Sequence, residues 1–202
     1  MSAFAPAQRS RSAGYFSGGY GAADNAATYK LAFSTNTTAA QTTADLSLAR
    51  YAPGACASIS AGYFGGGNVT VITDKLAFST DIAAPVTTAN LSLARTLIAA
   101  CASISAGYFA GGSTDISDGY ANRATADKLA FSTDTTAAVT TANLIQARYA
   151  IGASASAAAG YFAGGYAGAN LATADKLSFS TDATAAQTSA DLPVALRGIA
   201  GL

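Results

Sequence analysis

Two carboxylates stand three residues apart at Asp115 and Asp118, and Tyr120, Asn122 and Arg123 follow within five positions. This is the one polar cluster in the chain without counterparts elsewhere in it. Paired carboxylates can protonate a leaving group and assist the attack in glycoside hydrolysis. They can also give oxygens to a calcium ion. A tyrosine, an amide and a guanidinium beside them can stack on a sugar ring and hydrogen-bond its hydroxyls. Against catalysis, both acids lie on one short loop. Against a metal site, their spacing is not that of an EF-hand. No metal site is expected, and Asp115 and Asp118 are the candidates for one.

The residues that are missing narrow the chemistry further. There is no histidine, and all eleven acids are aspartate. The commonest general base and every glutamate mechanism are therefore absent. No serine has a histidine partner and no GxSxG turn occurs. The expectation is a protein that is not an enzyme and carries no cofactor. Cys56 and Cys101 are neither a disulfide framework nor a zinc signature. They hold the same place in two repeats, where Ser154 stands in a third, and read as small core residues. Charged residues make up 11% with a net charge of zero, so there is little attraction for a polyanion and no nucleic-acid partner is expected. No run of eighteen apolar residues suggests membrane insertion. The first eleven residues lack the apolar core of a secretory signal.

The elements that would position these groups come from repetition. AGYFSGG begins at Ala13, AGYFGGG at Ala61, and AGYFAGG at Ala106 and again at Ala159. Their tyrosines, Tyr15, Tyr63, Tyr108 and Tyr161, are 48, 45 and 53 residues apart. Each copy reads as a strand closed by a glycine pair. A second block, YKLAFST from Tyr29 and DKLAFST or DKLSFST from Asp74, Asp127 and Asp175, has period 2 and reads as a half-buried strand. Its lysines fall on the solvated face. Its phenylalanines, Phe33, Phe78, Phe131 and Phe179, are expected to be buried between repeats. A Thr/Ala block from Thr37 to Leu46, with its copies, reads as an outer strand. The Ala/Ser/Cys block after each arginine is short and alternating, and reads as an inner strand despite the helix propensity of alanine.

Four strands per repeat of about fifty residues form a sheet that must stack on its neighbours. The expected fold is all-β: a small β-propeller of four four-stranded blades in a single domain, 1–202. The blades fall at about 6–46, 51–91, 96–144 and 149–192, with 193–202 as a closing segment. The ring is closed by the termini or by a second chain. Pro6 to Ser12 and Arg197 to Leu202 both have the right offset for the inner place of blade 1, so the two ends are expected to meet there.

The order Arg50-Tyr51, Gly54 to Ser60, Gly62-Tyr63-Phe64-Gly65-Gly66 and Asp74 to Phe78 resembles a kelch-type blade, over most of residues 13 to 195. The tryptophan that often starts the outer strand of such blades is absent. The Gly/Ala/Thr-rich version is similar to repeats in phage tail and virion proteins, including those of cyanobacterial phages. That resemblance implies a structural or interaction scaffold in a virion or tail, at a virion or extracellular surface, or else a soluble cytoplasmic one.

Length varies almost wholly between the glycine pair and the lysine, and variable loops on a fixed scaffold are where binding concentrates. The candidate binding residues are Tyr20, Asp24, Asp115, Asp118, Tyr120, Asn122, Arg123, Tyr166 and Asn170. A cell-surface glycan or host receptor is the alternative partner to a protein or a second copy of the chain. Arg50, Arg95, Arg148 and Arg197 recur before the inner strands. They read as a belt tying blades together or as an anion pocket on the axis. The expected partners are Asp45, Asn90, Asn143 and Asp191, or Asp81, Asp134 and Asp182.

Overall fold

In the computed structural model, residues 12–114 and 121–201 are described. They form four antiparallel sheets whose strand order follows the chain. The first unit has β1 (Ala13–Ser17), β2 (Thr28–Ala32) and β3 (Thr37–Ala40). The second has β4 (Gly54–Ala57), β5 (Ala61–Gly65), β6 (Thr73–Ala77) and β7 (Ile82–Pro85). The third has β8 (Ala99–Ala102), β9 (Ala106–Ala110), β10 (Ala126–Ala130) and β11 (Thr135–Ala138). The fourth has β12 (Gly152–Ala155), β13 (Ala159–Ala163), β14 (Ala174–Ser178) and β15 (Ala183–Ala186). The fold is all-β. The inner place of the first unit, aligned with 6–12, lies almost entirely outside the described residues. No helix among them is long and apolar enough to cross a membrane.

The alanine-rich blocks are strands because tight turns and close neighbours make them so. The Ser58 hydroxyl accepts the Ala61 N–H at 3.0 Å and closes the β4–β5 hairpin, as Ser103 and Ser156 do in the next two units. Strand β8 packs against both β4 and β12. Cys56 on β4 faces Gly107 on β9, and Cys101 on β8 faces Gly160 on β13, so a β-carbon at either glycine would collide with the sulfur. Neither cysteine is in a disulfide.

The Thr/Ala block departs from the expected single outer strand. Each copy makes a four-residue strand and then a short 3-10 turn, Thr42–Ala44, Thr87–Ala89, Thr140–Ala142 or Thr188–Ala190. The ladder stops because a side chain takes over the pairing. Asp45, Asn90, Asn143 and Asp191 accept the N–H of Thr28, Thr73, Ala126 and Ala174 at 2.7–3.1 Å.

The core lies between sheets. One apolar cluster joins Leu46 and Ala44 to Phe64 and Leu76 across units 1 and 2. A second joins Tyr63 and Leu91 to Phe109 and Leu129. A third joins Tyr108 and Leu144 to Phe162 and Leu177. The expectation of four buried phenylalanines needs correction. Phe78, Phe131 and Phe179 are half-buried, with one ring face stacked on Tyr15, Tyr63 and Tyr108 at centroid distances of 5.3–5.5 Å. Phe33 has no such partner ring among the described residues and is 49% exposed. The fully buried aromatics are Tyr63, Tyr108, Phe109 and Phe162, which point into the seams from the glycine-closed strands.

The C-terminal segment, expected to meet the N-terminal one, docks on unit 4. Leu196 pairs with Leu171, and the Gly198 N–H donates to the Ala150 carbonyl at 2.8 Å. Ile199 packs near Gly152 and Gly164, in the place that Ile98 takes against Gly66 and Ile151 against Gly111. The segment thus continues the stacking sequence. The N-terminal segment proposed to meet it is outside the described residues.

Candidate functional site

Two polar systems stand out, one inside the seams and one on the variable loops. In the first, Asp and Lys are adjacent on β6, β10 and β14 and therefore point to opposite faces. The aspartate turns toward the linker arginine. The Arg50 guanidinium donates to Asp74 at 2.7 Å and to the Phe64 carbonyl at 3.0 Å. Arg95 reaches Asp127 and the Gly111 carbonyl at 2.5 Å each and the Thr125 carbonyl at 2.7 Å. Arg148 reaches Asp175, the Phe162 carbonyl and the Thr173 carbonyl, all at 3.0 Å. All three arginines are buried. Burial pushes each guanidinium below its ordinary pKa, and the facing aspartate opposes that shift. Burial likewise raises the Asp175 carboxyl, against the pull of Arg148.

The lysine on the other face crosses to the next unit. Lys30 meets Asp81, Lys75 meets Asp134 and Lys128 meets Asp182, at 2.5–2.7 Å. The same aspartates accept the hydroxyls of Tyr15, Tyr63 and Tyr108 at 2.5–2.7 Å. Each aspartate sits in a hairpin at φ of 51–55°, a left-handed conformation that Asp and Asn tolerate better than most side chains. Burial acts to raise these carboxyls, yet the hydrogen bonds from lysine and tyrosine and the lysine charge outweigh it and hold them below the usual range. Finally, Thr43, Thr88 and Thr141 donate to the carbonyls of Asp81, Asp134 and Asp182 at 2.7 Å.

Both expected partner sets for the arginines are therefore replaced. Asp74, Asp127 and Asp175 pair with arginine, the Asp81 series serves lysine and tyrosine, and the Asp45 series caps strands. The lysines are part-exposed seam residues rather than a solvated face. With guanidiniums buried and engaged, Arg50, Arg95 and Arg148 do not line an open anion pocket. Arg197 differs from its series and lies over the Tyr166 ring, 4.7 Å from the centroid. A cavity of about 90 Å³ adjoins Arg148, Asp175 and Asp191, far below the roughly 300–1,000 Å³ of small-ligand pockets.

The second system is the loop surface. Tyr20 and Asp24 pair across their own loop, Asp24 accepts the amide of Asn68, and the Tyr20 ring meets Tyr51 edge-on at 6.2 Å. In the other half, Tyr166 pairs with both Tyr149 and Asn170. Its ring lies 5.4 Å from that of Tyr149, and its carbonyl accepts the Asn122 amide at 3.5 Å. Arg123 donates to the Thr114 hydroxyl at 2.7 Å. The structure thus groups Tyr20 with Asp24, and Asn122 with Tyr166, Asn170 and Arg197. Asp115, Asp118 and Tyr120 lie outside the described residues. Among those described, no three His, Cys, Asp or Glu residues gather where a metal could be held. Sequence reasoning passed over Tyr51, Asn68 and Tyr149. The signal was present, since Tyr51 and Tyr149 each follow a repeated arginine and so stand where the chain enters the loop surface.

No protein-family model matches the chain. No curated protein matches it either.

Proposed function

We propose that the chain is a non-enzymatic scaffold, structural or interacting, whose units are kelch-like propeller blades. The observation that carries this reading is the seam. Its repeated charges and hydroxyls are engaged in holding one unit to the next, three times over. The resemblance to virion and tail repeats supports a role in such a particle or at an extracellular surface, and a soluble cytoplasmic scaffold would need the same seams.

One observation favours a second reading. Tyr20 is 74% exposed beside Asp24, Asn68 and Tyr51, a combination of ring face and hydrogen-bonding groups that suits a sugar. The test is a glycan array and a panel of polysaccharides offered to the full chain. The scaffold reading expects neither saturable retention nor release of reducing sugar. Saturable binding to one glycan class, lost in Tyr20→Ala or Tyr166→Ala, replaces it with the glycan-binding reading. Hydrolysis lost in the Asp115→Asn, Asp118→Asn pair overturns both.

A further inference from the structure

The three seams are built alike, and each has two different halves. The rear half of a unit carries the Tyr of the glycine-closed strand and the Lys of the strand after it, the 3-10 hydroxyl, and a buried Ala and Leu. The front half of the next unit carries the stacking Phe, the left-handed acceptor residue and, in units 3 and 4, a threonine. Thr136 and Thr184 donate from that front half to the carbonyls of Ala89 and Ala142 at 2.9 Å. One rear half and one front half are left over. Unit 4 presents Tyr161, Lys176, Ser189, Ala190 and Leu192. Unit 1 presents Phe33, Asn36 and Thr38.

Burial shows that both are uncovered. Ala44, Ala89 and Ala142 are fully buried, while Ala190 is exposed. Leu46, Leu91 and Leu144 are likewise buried, while Leu192 is partly exposed. Phe33, Asn36 and Thr38 are all exposed. No ring stack, ion pair or hydrogen bond joins these leftover residues of unit 4 to those of unit 1. The front half is nevertheless shaped for use. Asn36 keeps the hairpin at φ 54°, so it holds the left-handed position that Asp81, Asp134 and Asp182 hold, without their charge. Thr38 stands where Thr136 and Thr184 stand, and Ser189 stands where Thr43, Thr88 and Thr141 donate.

We propose that a second copy of this chain docks head to tail, its unit 1 front on the first copy's unit 4 rear. Phe33 of one copy stacks on Tyr161 of the other. The Asn36 side chain accepts from Lys176 and from the Tyr161 hydroxyl, Ser189 donates to the Asn36 carbonyl, and Thr38 donates to that of Ala190. The occupant is a second copy because the missing half of each surface is the half that the chain itself carries. The contact is heterologous, so it closes a ring or propagates according to the rotation per copy. Asn36 weakens it relative to the internal seams, since an amide replaces a carboxylate opposite Lys176, and it should therefore be concentration-dependent. This inference rests on the scaffold reading and names its partner.

The experiment is sedimentation equilibrium of the full chain over a hundredfold concentration range. Mass should rise with concentration. Asn36→Asp should tighten association at least threefold at low salt, Lys176→Asp should weaken it at least tenfold, and the Asn36→Lys, Lys176→Asp pair should restore it. Both positions of the test lie on exposed or half-exposed surface, and unchanged dichroism confirms folding. A wild-type monomer throughout, with Asn36→Asp also monomeric, overturns the proposal. So does Asn36→Asp raising the melting temperature with no change in mass, which would mean closure within one chain. Neither result touches the scaffold reading, which is decided separately by the glycan panel.

Discussion

Replacing Asp127 by Asn isolates what the buried seam contributes. The change keeps the size of the side chain and its ability to accept a hydrogen bond, and removes only its charge. Arg95 is then left with a positive charge in a place where both partners had no solvent exposure. Removing one partner of a buried pair costs about 3–5 kcal/mol, because the other remains uncompensated. The guanidinium keeps the carbonyls of Gly111 and Thr125, so the lower end, about 3 kcal/mol, is expected. The control is Asp134→Asn. Its side chain and that of Lys75 are part-exposed, at 27% and 30%, and pairs of that kind contribute about 0.2–1 kcal/mol. The Arg95→Met, Asp127→Leu double variant removes both charges and should recover most of the loss. Urea unfolding followed by circular dichroism reads all four proteins, since the chain has no tryptophan. Comparison is by midpoint at a common slope. A loss under about 1 kcal/mol in Asp127→Asn, no larger than in Asp134→Asn, refutes the assignment of the buried pairs as the main polar ties.

Three other outcomes are expected. Because Asp81, Asp134 and Asp182 titrate below their ordinary 3.8 when folded, the folded chain binds fewer protons there than the unfolded one. Stability should hold above about pH 5 and fall as the pH drops through the folded values, with Asp175, raised by burial, acting in the opposite sense; urea midpoints between pH 2 and 6 check this, and an unchanging midpoint counts against it. Gly107→Ala should cost about 1–3 kcal/mol by overpacking against Cys56, and Cys56→Gly in the same chain should return most of it in the same unfolding assay. The Cys101 thiol, pushed up to about 12 by burial, should resist iodoacetamide at pH 8 in the folded chain, as peptide mass mapping would show; rapid modification without unfolding would contradict its placement.

The sheets were legible because their signals are local. A glycine pair ends a strand, as Gly66 and Gly67 do at φ 68° and 88°, and period 2 in DKLAFST marks a strand whatever surrounds it. The seam partners were not legible, since they depend on how far one unit is rotated against the next. Asp74 and Asp81 are both conserved in spacing from Lys75 within this chain's own repeats, and nothing in that spacing says which will meet arginine. The alternation Asp-Lys on one strand was the usable clue, because adjacent strand residues must face opposite ways. The half-burial of Phe78 was missed for a similar reason. It follows the last residue of β6, at the margin of the sheet, where its ring stacks on Tyr15 and lies close to Gly62. For the loop surface, the sequence pointed to Tyr20 and Tyr166 through length variation alone, while their partners Tyr51 and Tyr149 come from a different part of the repeat.

If each unit is stabilised chiefly by the seams it shares, the most direct measurement is amide exchange in Asp127→Asn compared with the unaltered chain. Loss of the Arg95 tie should reduce protection together on both sides of the seam, in β5 and β6 of unit 2 and in β9 and β10 of unit 3, and leave β13 and β14 nearer to their original protection. If protection falls only within a few residues of Asp127, or falls equally in every strand, the units are not held together by these ties and the central claim is wrong.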